Sequence, residues 1–449
     1  MGRRSSKTYS GSSKESIIGG VAFITRAFNN PSVPQEYRAN FAHLFADIAW
    51  FGVLTGSSLN FLNIYAARLG ATGVQIGLLT AVAAAVNLAL AIPAGRWIEK
   101  RPLSKTIFWT AVVYRLGFLL WVPLPWLFGS EGQILALIGL TALMAIPLAA
   151  LGVGFNVLFA AAVPSEWRAY VMGNRNVLLS LTFVGTSLAC GFLLHRLPFP
   201  LGYQLVFLIG FIGGAMSSLH LYFVRPIPEP EEKTQVALDR GQQPSGLGPP
   251  QVRARLGLPV RVVSALRLDI WQTPFRRVLL VMLGFHLAQY LAIPLFPLYF
   301  VNEMKLNDQQ IGVGMALFYV AVLLGSTRLH RVVHRLGHKT VTGIGVIGLG
   351  AYPFLLAFST QVWQYYAVSF IGGLGWSLVG GAYINYMLES IPAADRPSHF
   401  AWYFIVLNGC ILAGSLLGPL IAQNATLAAA LLVFGILRVL AGLAILKFG

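Results

Sequence analysis

The chain has 449 residues, of which 56% are hydrophobic and only 10% are charged, and its mean hydropathy is +0.69. A soluble domain carries about a quarter charged residues, so this composition excludes a water-soluble protein and predicts an all-α polytopic membrane protein. The formal net charge is +17. Both cysteines, Cys190 and Cys410, fall in apolar stretches, which is typical of buried thiols rather than of a disulfide or a metal site.

The segment 1–39 is polar, serine-rich and basic, and we expect it to form a cytoplasmic tail. Twelve apolar stretches follow, each close to the length that spans about 30 Å of hydrocarbon. A backbone in lipid has to satisfy its own hydrogen bonds, so each stretch is predicted as a transmembrane helix. The stretches are 42–66, 74–96, 106–127, 133–162, 173–194, 201–224, 276–301, 311–329, 340–359, 362–388, 399–421 and 426–447.

The lysines and arginines are distributed unevenly between the two sides of these helices. With the N terminus in the cytoplasm, nearly all 32 of them lie on the cytoplasmic side, including Arg168 and Arg175 in the loop after helix 4. The remaining ones are Arg68, Arg196 and Lys305 on the other side, and Arg115 and Arg438 inside spans. This bias predicts a multi-pass protein of the cell inner membrane with both termini cytoplasmic. It explains the net charge without a nucleic-acid partner.

Residues 225–273 separate two groups of six predicted helices. The segments RPIPEPEEK and GQQPSGLGPP are typical of a flexible linker. Residues 259–271 are predicted either as a short helix on the inner membrane surface or as a solvated linker helix. The apolar face of that helix would carry Val262, Val263, Leu266 and Ile270. The predicted domains are the tail 1–39, a bundle 40–224, the linker 225–273 and a second bundle 274–449.

The two halves of the chain match each other at equivalent places. VQIG (74–77) aligns with QQIG (309–312), and in the same gapless register 99–100 aligns with 334–335. A second match aligns VPSEWR (163–168) with IPAADR (391–396), each after the long fourth helix of its half. Several matches in the same order predict two pseudo-symmetric six-helix bundles produced by duplication.

These features resemble the major facilitator superfamily over residues 40–449. The family's signature between helices 2 and 3 is Gly-x-x-x-Asp-Arg-x-Gly-Arg-Lys, with an echo between helices 8 and 9. The first copy here has Glu99 at the acidic position and Pro102 in place of the later glycine, and the second copy has His334 in place of the acid. The resemblance implies a transporter that works by alternating access, with two bundles moving about a central site.

The same resemblance implies a cytoplasmic gate in which the acid faces the positive N-terminal end of a neighbouring helix, helix 11. We expect this role for Glu99, whereas Lys100, Arg101 and Lys105 are expected mainly to hold their loop inside. The expected gate residues are Gly95, Glu99, Lys100, His334, Arg335, Gly337, Lys339, Arg168, Glu389 and Arg396.

Ionisable groups within lipid are costly and therefore informative. Asp47 in helix 1 is either a proton-coupling carboxylate or an acid that favours the start of its helix, and the sequence leaves both open. His286 in helix 7 is either a packed histidine or a second proton-coupling candidate. Arg115 and Arg438 are expected to be structural charges rather than anion attractors, with Arg115 reaching towards Asp47.

Polar and aromatic residues on the helices that line the cavity in this family form a predicted substrate site. Interhelical hydrogen bonds are the alternative role for each of them. The candidates are Asn60, Asn63, Asn87, Asn156, Gln289, Tyr290, Trp376, Tyr383, Asn385 and Asn408.

The sequence has no Gly-x-x-x-x-Gly-Lys-Ser/Thr motif, which argues against ATP-driven pumping. We expect no enzyme activity, no cofactor and no metal. The expected function is secondary active transport of a small organic solute by a monomer in the lipid bilayer, as export or as exchange for protons. The alternative is a non-transporting membrane scaffold or assembly factor that binds pigment or lipid.

Overall fold

Helices form the regular structure of the computed structural model, which describes residues 33–227, 267–392 and 395–449. Helix α1 consists of Gln35–Leu54, a π-helical turn at Thr55–Leu59, and Asn60–Arg68. The next five are α2 (Gly73–Glu99), α3 (Leu103–Leu119, followed by the short helix Leu124–Leu127), α4 (Ser130–Ala162), α5 (Arg168–Arg196) and α6 (Leu201–Phe223).

The second half begins with a 3₁₀ turn at Leu268–Gln272. Helix α7 consists of Phe275–Ala292, Leu295–Leu298 and a π-helical turn at Tyr299–Glu303. The helical stretch Asp308–Leu356 bends at Gly337, where φ is +77°, and we number its two parts α8 (308–336) and α9 (338–356). The last three are α10 (Val362–Glu389), α11 (Arg396–Ala422) and α12 (Leu427–Phe448).

Gly337 belongs to the second copy of the loop signature, and its backbone explains why a glycine stands there. A positive φ is unfavourable for residues with a Cβ atom, whereas glycine adopts it readily. The chain can therefore turn from α8 into α9 within a single residue.

Within the described ranges, nine helices are long and apolar enough to cross a membrane. The chain is therefore a multi-pass membrane protein. Asp308–Leu356 counts as one of the nine, although two predicted stretches fall on it. The other two predicted stretches fall on α1, which the π-helical turn divides, and on α3, which has only 17 residues. The count of twelve spans stays a prediction.

The first six helices pack in the same pairs as the last six. Helix α1 packs against α5 and α6, α4 packs against α2 and α3, and α3 packs against α6. Equivalently, α7 packs against α11 and α12, α10 packs against α8 and α9, and α9 packs against α12. This correspondence is what a duplicated bundle produces, and the domain boundaries at 225 and 273 stay predictions.

The glycines of α10 allow its neighbours to approach closely. A Cβ atom on Gly373 would lie 2.1 Å from the carbonyl oxygen of Phe318 in α8. A Cβ atom on Gly375 would lie 2.8 Å from the backbone nitrogen of Leu349 in α9. The glycine-rich segment therefore serves close helix packing.

One end of the molecule, here called the basic end, carries the α2–α3, α4–α5, α8–α9 and α10–α11 connections; the other is the opposite end. Both described ends of the linker attach at the basic end. The side-chain amide of Asn40 in α1 donates to the carbonyl oxygen of Arg225 at 2.7 Å, and the backbone nitrogen of Ile227 donates to Ala161 at 2.9 Å. The beginning of the linker is therefore held by α1 and α4.

The far end of the linker is held by α11. Arg267 donates to both carboxylate oxygens of Asp395 at 3.0 and 2.8 Å, and its Nε donates to Asp269 at 2.9 Å. The indole of Trp402 donates to the carbonyl oxygen of Arg267 at 3.3 Å. Ile270, which the sequence placed on a membrane-facing side, is fully buried in the protein core. Most of the predicted surface helix 259–271 lies outside the described residues, as does the tail up to residue 32.

We predict that Asp395→Asn releases the linker anchor. The hydrogen bond from Arg267 lowers the pKa of Asp395 below its ordinary value of 3.8, so the anchor is stable above that pH and is lost as pH falls through the lowered pKa. Hydrogen exchange of the amides in Leu268–Gln272 should become several-fold faster in the variant. Asp269→Asn is the matched control, since it removes a carboxylate from the same guanidinium but keeps the contact with α11. Equal exchange rates in the two variants would contradict the anchor.

Candidate functional site

Asp47 of α1 lies at the centre of a charged cluster buried among α1, α3, α5 and α6. Arg175 donates through both Nη atoms to Oδ2 of Asp47 at 3.0 Å, and the hydroxyl of Ser217 donates to Oδ1. Nη2 of Arg115 lies 3.9 Å from Oδ1. The three charged residues are only 3 to 5% exposed. Two guanidinium groups share one carboxylate, so the cluster keeps one formal positive charge.

Arg175 is the member of this cluster that the sequence analysis misplaced. Its assignment to the loop after helix 4 is wrong, because it lies two turns inside α5 and is buried. Its guanidinium also donates to the carbonyl oxygen of Leu44 and lies 4.9 Å from the centre of the Phe155 ring. The signal available in the sequence was the number of residues that separate Arg175 from the loop, which places it inside the helix.

The predicted approach of Arg115 to Asp47 is present, although Arg175 is the closer partner. Arg115 donates to the hydroxyl of Ser218 at 2.7 Å. The side chains of three other helices therefore converge on one carboxylate of α1.

The second group of helices has an uncharged contact at the equivalent helix pair. Nε2 of His286 in α7 lies 3.0 Å from the hydroxyl of Tyr403 in α11, and both residues are buried. When Arg168 of α5 is aligned with Arg396 of α11, Tyr403 falls at the position equivalent to Arg175. The pair α1–α5 is thus joined by a salt bridge, whereas α7–α11 is joined by a histidine and a tyrosine.

Arg438 of α12 joins three helices without a carboxylate. It donates to the carbonyl oxygens of Leu349 in α9 and Gln289 in α7, both at 3.1 Å. Only 2% of the residue is exposed. The structural role expected for Arg438 stays a prediction.

The predicted cavity residues divide into separate groups. Asn156 and Asn408 each donate to a carbonyl oxygen one turn earlier, at 3.0 and 2.9 Å. Asn156 and Asn385 are exposed, whereas Asn87 and Asn408 are half-buried. Two further candidates have buried oxygens without a hydrogen-bond partner among the described residues, namely Oδ1 of Asn63 and Oε1 of Gln289.

Aromatic candidates gather around Tyr403 in the second group of helices. The rings of Tyr383 and Tyr403 are 6.2 Å apart, and Trp376 packs against the same buried cluster. Tyr290 is half-buried in α7 and lies against Gly414 of α11. Tyr290 in α7, and Trp376 and Tyr383 in α10, therefore lie on the helices that surround His286.

The two groups of helices meet at the opposite end. Arg68 of α1 forms an ion pair with Asp308 of α8 at 3.0 Å. Deeper in the protein, the amide of Asn60 donates to the hydroxyl of Ser187 at 3.0 Å, and that hydroxyl donates to the carbonyl oxygen of Gly312 at 3.2 Å. Asn60, a predicted cavity residue, is therefore part of the seal between the groups.

Two further contacts tighten this seal. The rings of Phe183 in α5 and Tyr319 in α8 lie 3.9 Å apart between centroids. A Cβ atom on Gly77 of α2 would lie 2.0 Å from the carbonyl oxygen of Ser415 in α11. Helices α2 and α5 are thus pressed against α11 and α8.

The predicted gate residues lie at the basic end, where most of them are exposed. Exposed positions are Glu99, Lys100, His334, Arg335, Gly337, Glu389 and Arg396, while Gly95 and Lys339 are half-buried. Glu99 forms no ion pair with any residue that the structure describes. The expected contact of Glu99 with the start of α11 stays a prediction.

Two gate candidates have identifiable partners. Arg168 donates to the carbonyl oxygens of Ala160 and Val163 at 2.8 and 3.1 Å, so it caps the C-terminal end of α4. Glu389 of α10 lies 2.6 Å from Nδ1 of His338, directly after the Gly337 bend. His338 lies inside the loop signature but was not singled out from the sequence.

A multi-pass helical chain with two equivalent groups of helices, sealed together at one end, has the architecture of a membrane transporter. The chain belongs to the Major Facilitator Superfamily, whose model matches residues 16–307 and 278–448. It is a transmembrane transporter and not an enzyme.

A curated relative is the cis,cis-muconate transport protein of Acinetobacter baylyi (strain ATCC 33305 / BD413 / ADP1). The two chains are 24% identical over 254 residues, and this match covers 56% of each chain. The match therefore spans little more than half the length of that relative.

Solved transporters share the fold at low identity. A bacterial homologue of the iron transporter ferroportin in an inward-facing state matches with a TM-score of 0.67 and 16% identity, over 91% of this chain and 98% of that one. The inward-open xylose transporter XylE from E. coli matches with 0.65 and 14%, over 91% and 95%. The nucleoside transporter NupG matches with 0.61 and 14%, over 91% and 98%.

We predict that Asp47→Asn destabilises the protein strongly. The substitution leaves two buried guanidinium groups without a counter-charge, and breaking one side of a buried pair costs about 3–5 kcal/mol. Thermal unfolding of the purified protein in detergent measures the loss. The double variant Asp47→Asn/Arg175→Gln should recover part of it, and Glu131→Gln, at an exposed site, should have little effect. Unchanged stability of Asp47→Asn would refute the structural importance of the cluster.

We predict that Arg68→Asp and Asp308→Arg each open the seal at the opposite end, because each places like charges together. The readout is labelling of Ser187→Cys by a membrane-impermeant maleimide applied from that side, with Cys190 and Cys410 replaced by alanine. Labelling should be faster in each single variant and slow again in the double charge swap. Glu131→Arg, a charge change elsewhere at that end, is the control. A swap that labels as fast as the single variants would rule out the ion pair as the seal.

Proposed function

We propose that this chain is a secondary active transporter of a small organic anion, working as a monomer by alternating access. The observation that carries the proposal is the one-sided contact between the two groups of helices. At the opposite end they are joined by the Arg68–Asp308 pair and the Asn60–Ser187–Gly312 bonds, whereas the gate residues Glu99 and His334 at the basic end are exposed. Alternating access requires such a seal at one end at a time.

Further parts of the proposal concern the membrane. We propose twelve spans in two six-helix bundles, divided at the linker 225–273. The basic end, with both termini, faces the cytoplasm of the cell inner membrane, because loops rich in lysine and arginine stay inside.

The proposed substrate class follows from the curated relative, since the buried Arg115 and Arg438 are engaged in interhelical contacts. The curated relative is described as a transport protein for muconate, which is a dicarboxylate.

Proton coupling is the remaining part of the proposal, and it concerns the two candidates Asp47 and His286. Both oxygens of Asp47 already accept hydrogen bonds within an ion pair. His286 contacts a neutral hydroxyl instead, so it can gain a proton in a state that opens the α7–α11 contact to water. We therefore propose His286 as the coupling residue.

The test is uptake into proteoliposomes that contain the purified chain. We expect accumulation of radiolabelled cis,cis-muconate or a related dicarboxylate under a pH gradient, and no accumulation of xylose. His286→Gln should lose gradient-driven accumulation by tenfold or more while retaining exchange of labelled for unlabelled substrate. The control is His43→Gln, which changes a half-buried histidine of α1.

Three results would count against parts of the proposal. Transport of the neutral sugar would contradict the anion class. Unchanged driven uptake by His286→Gln would exclude its coupling role. Absence of flux for every solute, in a protein that folds, would favour the non-transporting scaffold.

A further inference from the structure

The ion pair at the opposite end leaves one oxygen of its carboxylate unused. Arg68 of α1 donates through Nε and Nη2 to the same oxygen of Asp308, Oδ1, at 3.2 and 3.0 Å. Its Nη2 also donates to the carbonyl oxygen of Leu306. Oδ2 of Asp308 accepts no hydrogen bond from any residue that the structure describes. An ionised carboxylate accepts through both oxygens, so Asp308 can take a further donor.

Tyr203, near the start of α6, carries a donor without a partner. The residue is only 2% exposed, and its hydroxyl oxygen is buried and makes no hydrogen bond of normal geometry with the described residues. A buried hydroxyl is normally satisfied, so one without a partner needs an explanation.

Aromatic packing places Tyr203 beside the ion pair. Its ring lies 4.8 Å from the ring of Tyr65 and 6.4 Å from that of Phe207, between centroids. Tyr65 precedes Arg68 by three residues in α1, so the two lie on the same face of that helix. The hydroxyl of Tyr203 faces the side chains of both Asp308 and Arg68. The unused donor and the unused acceptor are therefore neighbours.

Tyr65 provides a comparison within the same aromatic cluster. Its hydroxyl donates to Oε1 of Gln133 in α4, which joins two helices of the first group. The hydroxyl of Tyr203 instead faces a carboxylate of the second group. A contact at Tyr203 would therefore join the two groups, whereas the contact at Tyr65 does not.

We propose that Tyr203 is a further residue of the seal, and that its hydroxyl donates to Oδ2 of Asp308 after a small movement of that carboxylate. The bond joins α6 to α8 and holds Asp308 through the oxygen that Arg68 leaves free. The inference rests on the proposed alternating access, because the bond can form only while the opposite end is closed. Opening that end hydrates the hydroxyl, so Tyr203 favours the closed conformation.

The test is the rate at which a membrane-impermeant maleimide labels Ser187→Cys from the opposite end, with Cys190 and Cys410 replaced by alanine. Tyr203→Phe removes only the hydroxyl and keeps the ring packing, and it should raise this rate several-fold. Tyr65→Phe is the matched control, because it removes a hydroxyl from the same cluster but no contact between the groups. It should label at nearly the parent rate.

Two further backgrounds identify the partner of the hydroxyl. Arg68→Gln keeps the carboxylate of Asp308, so adding Tyr203→Phe should raise the labelling rate further. Asp308→Ala removes the acceptor, so the same addition should leave the rate unchanged. Such a dependence on one partner is the signature of a direct interaction.

The proposal is overturned if Tyr203→Phe labels no faster than Tyr65→Phe, or if its effect is the same in the two backgrounds. Labelling requires no solute flux. A protein that transports no solute can therefore still confirm the contact, and an active transporter can refute it.

Discussion

Every polar group inside a low-dielectric layer needs a hydrogen-bond or ion-pair partner, and this requirement governs the structure. Helices meet that requirement for the backbone. The buried arginines meet it by different means, because the chain has more than twice as many basic as acidic residues. Arg175 shares one carboxylate with Arg115 and adds the carbonyl oxygen of Leu44, whereas Arg438 relies on two carbonyl oxygens. Carbonyl groups of neighbouring helices thus replace the missing acids.

The two halves use the same helix pairs with different chemistry. A salt bridge joins α1 to α5, and a histidine–tyrosine contact joins α7 to α11. A buried ion pair is geometrically demanding and intolerant of water, whereas two neutral groups can separate and hydrate at lower cost. The first half is therefore the electrostatically rigid one, and the second half is better suited to local rearrangement around its aromatic cluster.

Periodicity and composition were sufficient to predict a helical membrane protein, because long apolar runs have few structural solutions in lipid. The approach of Arg115 to Asp47 was also expected, since a buried charge needs a partner. The partners themselves were harder to predict. Arg175 was assigned to the loop although it lies inside the predicted span 173–194, close to its start. The helix begins five residues earlier, at Arg168, so Arg175 lies two turns inside it.

Contacts between the halves were beyond sequence reasoning for another reason. Arg68 and Asp308 lie in different halves of the chain, and neither segment contains a local pattern that identifies the other as its partner. The cavity role of Asn60 stays a prediction, whereas its hydrogen bond to Ser187 where the halves meet was not indicated by either segment. Glu99 matched a family position, yet a signature cannot say which conformation brings its acid into contact.

The attachment of the linker at both described ends has a mechanical consequence. Asn40 fixes its beginning to the first group of helices, and Asp395 fixes its far end to the second. The linker thus begins on one group of helices and ends on the other. Because each attachment lies within a single group, a relative movement of the two groups changes the separation of the attachments but breaks neither of them.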